Sequence, residues 1–138
     1  NFFATTAGAT ISMTVAGSSL SVLGHAQFLG GSTAGLLTEG TMVFLGDVTT
    51  NGASPDQLAS SGNHATFLNA TVAQVLSFSN PGPAGDRLNH VTISNPVAAT
   101  FATSAKIDGN VTVAERWTSA GPRLSRSAAA SPCSAAPS

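Results

Sequence analysis

Apolar and polar residues alternate along this chain in short runs, and three of the runs begin with histidine: HAQFLGGSTAGLL at His25, HATFLNATVAQVL at His64 and HVTISNPVAATFA at His90. Alternation with a period of two predicts β-strands with one buried face. Aligned on the histidines, the inward positions read Ala26, Ala65 and Val91, then Phe28, Phe67 and Ile93. Farther on they read Ala34, Ala73 and Ala99, then Leu36, Val75 and Phe101. A residue three before an inward one points outward. His25, His64 and His90 are therefore expected to line an outer face, with Gln27, Thr66 and Thr92 two residues on along the same face.

The interval from His25 to His64 is half as long again as that from His64 to His90. The surplus is assigned to TTNGASPDQLASSGN, residues 49–63, whose Gly, Pro, Asn and Ser read as an inserted loop. GDVTT from Gly46 is echoed by GNVTV from Gly109, which supports a period of about 26 residues, within the range of solenoid repeats. Residues 9–24 then form an incomplete first turn. Treating TMVFLGD at 41–47 as a further copy ranks lower, since the step would be much shorter than that period and the alanine match would be lost. The expected fold is all-β: a short right-handed parallel β-solenoid (β-helix) of about three to four turns, spanning residues 1–117. Residues 118–138 are rich in Ala, Ser and Pro and read as a disordered or loosely attached tail. Trp117, where the pattern stops, is expected to cap the last turn. Two open ends expose unpaired strand edges, so self-association is expected, end to end or by strand exchange.

The 138 residues suit one domain. Helix-favouring charged residues are scarce, with 8% Asp, Glu, Lys and Arg in total, while 14 glycines accompany abundant Thr and Val. A net charge of −1 gives no electrostatic reason to bind nucleic acid or an anionic membrane. No apolar run approaches the roughly 20 residues that a membrane helix needs. The single cysteine, Cys133, allows no internal disulfide. The opening at Asn1, without a methionine or an apolar leader, fits a mature or excised piece.

The GNVTV run, FLNATVAQVLSFSNPG and the HVTISNP step resemble the repeat regions of large bacterial secreted or surface proteins that form parallel β-solenoids. The resemblance covers roughly residues 8–115 and rests on repeat texture. It implies a β-helical fold, an extracellular or cell-surface location and a structural or adhesive parent protein, and it carries over no functional residue.

Equivalent positions on successive turns of a parallel solenoid stack about 4.8 Å apart. Under the histidine alignment, His25, His64 and His90 form a ladder able to converge on zinc or another divalent transition metal, with copper and nickel also suited to imidazole. Three histidines with an open fourth position is a catalytic zinc pattern, and Gln27, Thr66 and Thr92 would support the ligands from a second layer. Such a site would activate water for hydrolysis of a small ester or phosphoester. No carboxylate sits at a fixed offset from the ladder, so no general base is named; Asp47, Asp86 and Asp108 would neighbour it only through the path of each turn. The alternative is a purely structural or adhesive repeat in which duplication copied the histidines along with the core.

Other motifs say less. GGSTA at 30–34 lacks the final glycine of a nucleophile elbow and reads as a corner. Asn69 and Asn110 match the glycosylation acceptor pattern but are simpler as turn residues. Asp86 and Arg87 are expected to form a surface ion pair or none. Carbohydrate binding on a flat face would require outward aromatics, and the phenylalanines read as inward.

Overall fold

The computed structural model describes residues 1–114, 117, 118, 121 and 122, and every element in it is a strand. In chain order the strands are β1 (Phe2–Thr5), β2 (Ser19–Val22), β3 (His25–Phe28), β4 (Thr41–Phe44), β5 (Val48–Thr50), β6 (Ala65–Leu68), β7 (Gln74–Ser77), β8 (His90–Ile93), β9 (Ala99–Phe101), β10 (Val111–Val113), β11 (Trp117–Thr118) and β12 (Gly121–Pro122). The odd strands β1 to β9 form one parallel sheet, and the even strands β2 to β10 form a second. Each odd–even pair is one coil, and about five coils stack into a parallel β-solenoid. A third side carries single bridges that run from Met13 to Leu37 to Ser60, from Ala59 to Arg87 and from Leu88 to Ile107.

Side chains alternate across each strand, so every coil sends residues inward from both sheets. In the first sheet one inward column runs Phe3, Ala26, Val48, Leu76, Phe101. In the second sheet one runs Leu20, Met42, Thr66, Val91, Val111, and its neighbour runs Val22, Phe44, Leu68, Ile93, Val113. Phe28 is fully buried and joins the two sheets, with its ring centre 5.9 Å from that of Phe3 and 6.0 Å from that of Phe44. The Phe44 contact is edge to face, at 85°. Such pairs add about 0.5–1.5 kcal/mol beyond the area they bury.

The corners set how closely the coils approach. A Cβ on Gly46 would lie 2.4 Å from the Gly24 carbonyl oxygen one coil below, so the backbone can pass there only without a side chain. Gly40, which leads into β4, has φ of 78° and would also meet the Ser18 carbonyl.

Two expectations about the repeat are corrected. The coil is on average shorter than the expected period, and there are more coils than three to four. The spacing between partners in adjacent coils is shortest from Val91 to Val111 and longest from Thr49 to Ser77. HAQF (β3) lies in the first sheet, while HATF and HVTI lie in the second. The interval from His25 to His64 therefore spans about one and a half coils, and the short step from HAQF to TMVF is a half-coil. Both sheets use strands of similar texture, so a sequence echo does not reveal which sheet a strand joins.

Residues 49–63 are an excursion only in part, with Asn51, Gly52, Ala53 and Pro55 exposed. β5 begins at Val48, and Gln57, Leu58, Ala59 and Ser60 are all buried as part of the third side. Trp117 and Thr118 pair antiparallel with Gly121 and Pro122. The packing of the Trp117 ring, the rest of the tail at 118–138 and Cys133 lie outside the described residues.

Candidate functional site

β6 pairs Ala65, not His64, with His90. This one-residue offset decides where the histidines go, because slipping a strand by one exchanges its two faces. In HATFL the inward residues are Thr66 and Leu68, both buried, and Phe67 turns outward beside Val43 and Thr92. The inward assignments of Ala65, Phe67 and Val75 are thereby corrected: Val75 is exposed, and its neighbours Gln74 and Leu76 are buried. Ala34 and Ala73 are exposed as well.

The three histidines occupy three different settings. His25 heads β3 on the outer face of the first sheet, its side chain 63% exposed, with Nδ1 3.4 Å from the Asp47 carboxylate one coil on. The other oxygen of Asp47 accepts a bond from Val75 N–H at 2.8 Å. His64 precedes β6 and is fully buried, which corrects its expected outward orientation. Its Nδ1 lies 2.8 Å from the Glu39 carbonyl oxygen; the carbonyl can only accept, so Nδ1 carries the proton and Nε2 is an acceptor. Nε2 meets no donor among the described residues. Burial holds the His64 pKa below the usual imidazole value, and the bond to Glu39 opposes this in part. His90 heads β8, half-buried on the outer face of the second sheet, where its Nδ1 accepts a bond from Asn110 N–H at 3.1 Å.

The expected supporting residues separate in the same way. Gln27 is half-buried on the first sheet, Thr66 is inside the core, and Thr92 is half-buried outside the second sheet. His25, His64 and His90 thus do not stack as a ladder. Among the described residues, no group of three or more His, Cys, Asp or Glu side chains is placed to hold a metal ion. The donor set proposed for zinc does not fit this geometry, and no hydrolytic step is derived from it.

The structure gathers a different set of polar groups. Asp86 is 1% exposed, where a surface position was expected. Its carboxylate accepts the Thr50 hydroxyl at 2.6 Å, Leu58 N–H at 3.1 Å and Asn80 N–H at 3.4 Å. Arg87 instead turns toward Asp108, at 3.9 Å, and donates to the Gly85 carbonyl. Gln57, also buried, receives Asn51 N–H and Gly52 N–H on its side-chain oxygen and donates to the Gly30 carbonyl. Gln74 donates to the carbonyls of Phe44 and Gly46, and Asn89 donates to that of Gly62. Thr33 accepts from Ala59 N–H, and Ser60 accepts from Asn89 N–H.

Most of these bonds join one coil to the next. A buried polar group left without a partner costs about 1–3 kcal/mol, so each pairing fixes the stacking register as well as stabilising it. Sequence reasoning missed this set because Gln57 and Asp86 sit among turn residues that read as exposed, and Gln74 is a polar residue at an inward position of β7. The available signal was Gln74 two residues before Leu76, on the same face of an alternating run.

No family model matches this chain, and no curated protein or solved structure does so either.

Proposed function

We propose that this chain is a structural segment: a stack of coils that acts as a rigid spacer or scaffold within an extracytoplasmic surface protein. The observation that carries the reading is the use made of its buried polar side chains. Gln57, Gln74, Asp86, Asn89, Thr33 and Ser60 bond chiefly to the backbone of the neighbouring coil, and most of the remaining interior is packed with apolar side chains. The extracytoplasmic location rests on the repeat texture alone.

Elemental analysis of the purified chain tests this reading, alongside His25→Ala and His90→Ala. Expected are no stoichiometric zinc, copper or nickel in any of the three proteins and melting temperatures within about 2 °C of one another, since both histidines lie on outer faces. One metal per chain that is lost in either variant, or metal-dependent cleavage of a small ester, would overturn it.

A further inference from the structure

We infer that Asn51 is a site of spontaneous modification, and that the buried side chain of Gln57 holds it unreacted while the chain is folded. Of the asparagines in the sequence, only Asn51 is followed by glycine. Glycine leaves its own backbone nitrogen unhindered, so that nitrogen can attack the side-chain amide before it. In that step a bond forms from Gly52 N to Asn51 Cγ, the Cγ–Nδ2 bond breaks, and the Gly52 N–H proton leaves with Nδ2 as ammonia. Water then opens the cyclic imide at either carbonyl, which gives aspartate or an isoaspartate whose backbone runs through the former side chain.

Asn51 and Gly52 are exposed at the corner that follows β5, so solvent reaches both reactants. The geometry around them opposes the reaction. In the imide, Cγ takes the direction from Gly52 N that the N–H hydrogen takes in the native chain. Here that direction is filled, because Gly52 N–H donates to Gln57 Oε1 at 2.9 Å, and Asn51 N–H donates to the same oxygen at 3.0 Å. The other reactant is held as well: Asn51 Oδ1 accepts Gln57 Nε2 at 2.8 Å and Ala53 N–H at 3.0 Å. Two donors on Oδ1 would favour the tetrahedral oxyanion if Gly52 N were aimed at Cγ, but the bond to Gln57 Oε1 aims it elsewhere.

Gln57 can act as this clamp because it is itself anchored. It is 1% exposed, and its Nε2 also donates to the Gly30 carbonyl of the neighbouring coil at 3.1 Å. Cyclisation requires Gly52 N–H to leave Gln57, so the corner must open first. Neither reactant is freely replaced. Gly52 has φ of 82°, and a Cβ on it would lie 3.2 Å from the Ser79 hydroxyl oxygen. Asn51 supplies the acceptor that Ala53 N–H and Gln57 Nε2 use. The labile pair is thus built into the corner, and its protection comes from the fold.

The test incubates the native chain at mildly alkaline pH, folded and in concentrated urea, beside Gln57→Ala checked for folding by circular dichroism. Released ammonia and isoaspartate at Asn51, located by peptide mass mapping, are followed in time. The folded native chain is expected to react about tenfold more slowly than in urea, or slower still, and Gln57→Ala to recover most of that difference. Deuterium exchange of the Gly52 N–H, read by NMR in the native chain, is a second measurement that needs no variant. One opening exposes both the hydrogen and the reaction, so the factors by which folding slows exchange and slows ammonia release should agree within about threefold. Rigid packing away from Gln57 would slow the reaction without protecting this N–H. Should Gln57→Ala not fold, the exchange comparison decides alone. A folded native chain that reacts as fast as in urea, a Gly52 N–H that exchanges freely, or a folded Gln57→Ala that reacts no faster than the native chain would overturn the inference.

Discussion

The Thr50 hydroxyl donates to the buried Asp86 carboxylate at 2.6 Å, and this bond ties the end of β5 to the third side of the next coil. The same carboxylate holds Leu58 N–H and Asn80 N–H, so a single side chain serves three backbone segments. Asp86→Ala should therefore cost roughly 2–3 kcal/mol, because it leaves Leu58 N–H buried without a partner. Chemical denaturation of both proteins measures this. A loss no larger than that of an ordinary surface substitution would mean that the contact contributes little.

Phe28→Ala and Phe67→Ala offer the plainest test of the register. Phe28 is fully buried between the sheets and should cost about 3–5 kcal/mol. Phe67 faces outward in β6 and should cost less than about 1 kcal/mol, as surface changes generally do. Equal losses at the two positions would contradict the one-residue offset of β6.

His64 gives the fold a dependence on pH. Its folded pKa is held below the unfolded value of about 6.5 by burial, so the unfolded chain binds a proton more readily than the folded one. The contribution of His64 is therefore fully present above about pH 6.5 and is lost as pH falls from there toward the folded pKa. His64→Gln has no such titration. The difference in stability between native and variant, followed by thermal melts from pH 8 to pH 5, should shrink as the solution is acidified. A difference that stays constant would place the His64 ring in contact with water.

Gly46→Ala should destabilise by more than about 2 kcal/mol, since the added Cβ would stand 2.4 Å from the Gly24 carbonyl and the coils would have to separate. Gly82→Ala is the matched control. A Cβ there meets nothing within 4 Å, and the change should be worth under about 0.5 kcal/mol. Melting temperatures of the two variants give the comparison directly.

The class of fold could be read from alternation, because period-two patterns such as HAQF and HVTI admit few other structures. The histidine site could not. HATFL offers two registers, one burying Ala65 and Phe67 and the other burying Thr66 and Leu68, and only the neighbouring coils choose between them. Met42 and Phe44 below, with Val91 and Ile93 above, continue the columns that Thr66 and Leu68 enter. Aligning Phe67 with Phe28 matches identical residues that belong to different sheets. For Gln57, Gln74 and Asp86, polarity suggests exposure, whereas these side chains are held inside by backbone groups about a coil away in the chain.

Each coil reaches its partner over a stretch of chain that averages about two dozen residues. The entropy lost in closing such a loop varies only slowly with its length, so every coil faces nearly the same closure cost as the last. The unfavourable step is thus concentrated in the first two coils to meet, and those that follow add to an existing template. Assembly of the native state then proceeds by growth along one axis, and a truncated chain loses its end coils before its central ones.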